Sequence, residues 1–127
     1  MKKSLIFFLL AWSFCYNLVA VVHIHYLQKA VYQPETNQWG DWQNEANAFR
    51  IDSTTLSIVN LSTKAESMYQ RQGEMIGAYS ESGKYYRLFE AVSDKGETCQ
   101  FFLYSDKNAG LLLKCHEAGI MIQYAGY

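Results

Sequence analysis

Cys99-Gln100-Phe101-Phe102-Leu103-Tyr104 and Leu111-Leu112-Leu113-Lys114-Cys115, joined by a loop containing Asp106-Lys107-Asn108, read as two strands of a hairpin. A short hairpin loop is usually a type I turn closed by a residue in the left-handed region, which Gly adopts freely and Asn tolerates. Centred on Lys107, the hairpin sets Cys99 opposite Cys115, Phe101 opposite Leu113 and Phe102 opposite Leu112. Facing residues of an antiparallel pair have β-carbons about 4.5–5.5 Å apart, and a disulfide needs about 3.5–4.5 Å. A small local adjustment therefore closes a Cys99–Cys115 disulfide, and the two cysteines are expected to be joined.

The same turn chemistry recurs on both sides of this hairpin, at Glu81-Ser82-Gly83, Asp94-Lys95-Gly96 and Glu117-Ala118-Gly119. Residues 73–126 then form a five-strand antiparallel meander. Register arithmetic from the loop centres aligns Met75, Phe89, Phe101 and Leu113 in one row, with Ala91, Cys99, Cys115 and Met121 in the next. The opposite face carries Ile76, Leu88, Phe102, Leu112 and Tyr124, bordered by Ala78, Tyr86 and Tyr104 on one side and by Glu74, Glu90, Gln100 and Lys114 on the other. An antiparallel sheet with one wet face alternates apolar with polar, and here both faces are apolar, so the second face needs a cover. That cover is either residues 46–72, folded over it as a sandwich or barrel layer, or a partner.

Upstream, Ala48-Phe49-Arg50-Ile51 and Leu56-Ser57-Ile58-Val59 read as two more strands. Thr63-Lys64-Ala65-Glu66 has capping-box spacing, which fits a short helix as well as an irregular strand. Residues 28–45, with Pro34, Trp39, Trp42 and many amides, read as a linker. Met1-Lys2-Lys3 precedes an apolar run from Leu5 to Ile24, an export signal that fits both an uncleaved single-pass anchor and a peptide cleaved after Ala20. The expected organisation is a hydrophobic helix within residues 1–27, a linker over 28–45, and an all-β domain over 46–127. That domain is an antiparallel meander of about seven strands closing as a small barrel or sandwich.

Gly40-Asp41-Trp42, ahead of an exported antiparallel meander, resembles the Gly-x-Trp signature of lipocalins and related calycins. The resemblance implies a closed or nearly closed barrel with Trp42 packed against an arginine at one end, and a pocket for an apolar ligand. The layout of short cytoplasmic end, single span and exported β domain also resembles the single-pass periplasmic partners of ToxR-type regulators.

Chemistry is sparse. With a net charge of −1, the chain has no excess of Lys or Arg to neutralise phosphates, which argues against nucleic acid. His116 is the one histidine beyond the apolar segment, and its neighbours Cys115 and Glu117 point to the opposite face of a strand, so no metal or cofactor is expected. Glu74 and Glu90 face one another in the inferred register, the sole pair suited to acid/base work and more simply a solvated border. The expected function is non-enzymatic: an envelope or secreted module, tethered through residues 5–24 if uncleaved, that binds another protein through Tyr86, Leu88, Phe102, Tyr104, Leu112 and Tyr124. The alternative is a carrier or sensor of a small apolar ligand.

Overall fold

Alternating side chains give each strand an inner and an outer face, and nine strands follow in the computed structural model, which describes residues 21–126. They are β1 (Val22–Gln33), β2 (Gln38–Trp39), β3 (Gln43–Ile51), β4 (Thr55–Asn60), β5 (Glu66–Tyr79), β6 (Tyr85–Ser93), β7 (Thr98–Tyr104), β8 (Leu111–Cys115) and β9 (Ile120–Ala125). Consecutive strands from β3 to β9 pair antiparallel, and β1 pairs with both β3 and β9, closing an eight-strand ring. The two-residue β2 only extends the end of β1. All described strands belong to this one sheet, and the described residues contain no helix.

Inside the ring the core is continuous. Tyr26 and Phe49 meet edge to face at 5.4 Å, Phe49 meets Tyr124 at 4.8 Å, and Phe89 stacks on Phe101 at 5.2 Å. Ile51, Leu56, Leu111 and Leu113 fill the space between them. Cys99 and Cys115 face this core and are bonded, with Cα atoms 4.3 Å apart, as the hairpin register requires.

The sheet completes itself with residues expected elsewhere. Residues 28–45, expected to be a linker, carry the second half of β1, a turn, β2 and the start of β3. The N-terminal helix expected over residues 1–27 falls mostly on residues 1–20, outside the described part, but Val22 to Leu27 are strand. Val22, Ile24 and Tyr26 point into the core while His23, His25 and Leu27 are exposed, so the last part of the apolar run serves the barrel. This strand is the eighth the ring needs. Residues 46–72 do not fold across the meander; β3, β4 and the start of β5 take their place beside it in the ring, and the capping-box segment opens a strand at Glu66.

Two registers depart from the arithmetic, with opposite consequences. In β5, three residues, Gly73 to Met75, separate the Gln72–Glu90 and Ile76–Leu88 pairs, against Phe89 alone on β6. Gly73, at φ 72°, supplies the left-handed backbone for this bulge. Two extra residues preserve the alternation, so Met75 still points inward and Ile76 outward. The bulge nevertheless replaces Glu74 with Gln72 opposite Glu90, which removes the facing carboxylates. Between β8 and β9 the turn takes four residues, pairing Cys115 with Ile120 and Leu111 with Tyr124. This shift of one residue exchanges faces. Tyr124, expected outside, is 5% exposed within the core, Gln123 takes its outer place beside Leu112, and Ile122 rather than Met121 packs inward.

Candidate functional site

The outer face of β5 to β8 carries an unbroken apolar row. Its central row is Ile76, Leu88, Phe102 and Leu112, paired strand to strand and continued by Gln123. Ala78, Tyr86 and Tyr104 form the flanking row. Leu88, Phe102, Leu112, Tyr86 and Tyr104 are half-buried by one another, and Ile76 remains 65% exposed. Tyr86 lies 5.4 Å from Tyr104 and 5.5 Å from Phe102, both tilted, and the Lys114 ammonium sits 5.0 Å over the Phe102 ring. Aromatic and cation–π contacts of this kind order a surface before anything binds it.

Five of the six expected binding residues therefore share one outer face: Tyr86, Leu88, Phe102, Tyr104 and Leu112. Tyr124 does not, and its burial against Phe49 pushes the phenol well above its ordinary value, with Tyr69 and Glu45 adding to the effect. Ile76 and Lys114 belong to the face. The alternation of β5 had already placed Ile76 there.

The two mouths of the ring differ in charge and lining. At the mouth near the end of β4, a cleft of about 270 Å³ is bounded by Lys29, Glu45, Asn47, Tyr69 and Tyr124, with Ile58 and Leu113 below. Lys29 pairs with Glu45 at 3.3 Å, and the buried Asn47 amide donates to the same carboxylate at 2.9 Å. The Asn47 bond is the main cause of the lowered Glu45 pKa, against burial, with Lys29 assisting. Burial raises the Tyr69 phenol, reinforced by Glu97 and Asp94.

At the other mouth the β3–β4 turn is built on Asp52. Its carboxylate accepts from the backbone N–H of Thr54 at 2.9 Å and of Thr55 at 2.7 Å, and from Arg50 at 2.6 Å. Burial alone would raise the Asp52 pKa, but these donors outweigh it and hold the carboxyl well below the usual range. Arg71 closes the wall above, its guanidinium 5.2 Å over the Phe89 ring and donating to the Asp52 carbonyl at 2.6 Å. Trp42, which the resemblance implied would pack against an arginine, is instead 47% exposed; the arginine over an aromatic ring in this wall is Arg71 over Phe89.

The His116 ring bonds the Gln100 side chain at 3.0 Å, and the described residues hold no cluster of three or more His, Cys, Asp or Glu side chains placed to bind a metal. Comparison with known proteins adds no assignment: no family model, curated protein or solved structure matches the chain.

Proposed function

We propose that this chain is a non-enzymatic protein-interaction module of the bacterial envelope, on the periplasmic side of the inner membrane or secreted, whose contact surface is the outer face carrying Tyr86, Leu88, Phe102, Tyr104 and Leu112. One observation carries the reading. The strands that were candidates to cover this face complete the ring instead, leaving a row of apolar side chains on the outside of a barrel whose inside is already filled. Tyr and Phe are enriched in interface cores and lose little rotamer entropy when bound.

Export rests on the apolar N-terminal run. Because Val22 and Ile24 serve the core, the run left for a membrane is residues 5–21, at the short end of the roughly 17–25 residues that span a bilayer. Anchor and cleavage after Ala20 both leave β1 intact. The resemblance to partners of ToxR-type regulators suggests a membrane regulator as one class of protein for this face.

A photo-crosslinking residue in place of Phe102, with a control in place of the outward Ser57 on β4, tests the reading in cells exporting the full chain. A discrete adduct from position 102, absent from position 57 and abolished by Tyr104→Asp, is the expected result. Equal labelling from both positions overturns it.

The cleft between Lys29, Asn47 and Tyr124 favours a second reading, a lipocalin-like carrier of a small apolar ligand held at that mouth. Its test is native mass spectrometry of the full chain: a small apolar mass that co-purifies and is lost in Ile58→Glu supports it.

A further inference from the structure

The mouth closed by Asp52 and Arg71 opens into a second cleft, of about 320 Å³. Its walls divide by chemistry. Val22, Ile51 and Met75 form an apolar side, and Ser53, Arg71 and Arg87 form a polar one.

The charges at this mouth do not balance. No acid lines the cleft, and the Asp52 carboxylate at this mouth is already engaged by Arg50, Thr54 and Thr55. Arg71 reaches only the Asp52 backbone carbonyl, and its Nε is buried without a protein acceptor. Arg87 is exposed at the lip and makes no ion pair with any described residue. With Arg50 and Asp52 paired, two guanidinium groups remain at one end of a chain whose net charge is −1. A guanidinium offers donors in a planar fork that fits a carboxylate, and a buried N–H without an acceptor favours any ligand that supplies one.

We infer that this cleft is a binding site for a small amphiphilic carboxylate, its head between Arg71 and Arg87 beside the Ser53 hydroxyl, and its short aliphatic body against Val22, Ile51 and Met75. The volume limits the body to a short or medium chain, because the core behind it is filled by Phe89 and its neighbours. A longer apolar tail has nowhere to go. The site lies at an end of the ring and is separate from the outer aromatic face, so either can hold without the other.

The test titrates the full chain with sodium octanoate, octanol and sodium acetate, following the Arg71 side-chain Nε–H resonance and the heat of binding. Octanoate is expected to bind one per chain, saturably, and to shift that resonance. Octanol should leave it in place, and acetate should bind at least tenfold more weakly. Arg87→Gln is the informative variant, because Arg87 holds no structural partner and its loss should leave the circular dichroism spectrum unchanged. It should weaken octanoate at least tenfold. Equal effects of octanol and octanoate, acetate binding as tightly as octanoate, or undiminished octanoate affinity in the folded Arg87→Gln chain would each overturn the assignment.

Discussion

Phe101 and Phe102 are neighbours of one residue type on one strand, yet they stand on opposite sides of the barrel wall. Phe101 is fully buried, stacked on Phe89 and edge-on to Tyr69 at 5.1 Å. Phe102 is half-exposed between Leu88 and Leu112, with Tyr86 and Lys114 on its ring. The inner row is apolar because the fold requires it. The outer row is nearly as apolar with no counterpart in the fold to bury it, and that surplus is the reason to look for function there.

The comparison breaks most sharply if both rings are removed in turn. Phe101→Ala should destabilise the chain by about 3–5 kcal/mol, as a large core truncation does, read from the urea midpoint at unchanged slope. Phe102→Ala should cost far less, as the last test below specifies, and equal losses would mean that the outer row is structural too.

Next in size is the disulfide, which fastens the inner face of β7 to β8. Replacing both Cys99 and Cys115 with Ala should lower stability by about 3 kcal/mol on the loop-entropy account, measured against the oxidised chain. A smaller loss would assign the rows more of the hairpin's stability than the bond.

The third test lies at the turn where the inner row of β3 ends. Asp52 has a pKa depressed below its ordinary 3.8, so its contribution is complete above that value and is lost as pH falls through and below it. Asp52→Asn should remove about 1–2 kcal/mol at neutral pH and flatten the acid limb of the stability curve. Phe102→Lys, on the outer face, should leave that limb in place.

The smallest expected effect on stability is the most telling for function. Phe102→Ala should cost about 1 kcal/mol or less while removing the adduct made when the photo-crosslinking residue is placed instead at the neighbouring Leu112. A stable variant that keeps the adduct would detach the outer row from binding.

Much of this contrast was legible in the chain. The Asp94-Lys95-Gly96 and Asp106-Lys107-Asn108 loops hold the registers their centres imply, so the rows across β6, β7 and β8, and the disulfide with them, follow from turn chemistry alone. The β9 register did not, because Glu117-Ala118-Gly119 sits in a four-residue turn with His116, and one residue carries Tyr124 through the wall. The bulge at Gly73 has an even count and so spared the faces while moving Glu74 away from Glu90. β1 was hidden in plain composition: Val22, Ile24 and Tyr26 alternate with His23, His25 and Leu27, but the apolar run before them reads as one segment with them. The two arginines at the Asp52 mouth share no local motif, since Arg71 and Arg87 line one cleft only when β5 and β6 curl around the same opening.

The seam that closes the ring joins residues near opposite ends of the domain, with Gln28 paired to Ala125 and Val31 to Ile122. Every other pairing in the ring links strands adjacent in the chain or separated only by the β1–β2 turn. Hairpins of that kind form quickly, whereas a contact across almost the whole domain must wait for loop closure and for the last strand to be made. A chain synthesised from its N-terminus therefore holds one edge of β1 unpaired until β9 emerges, so the ring is the last part of the fold that can close.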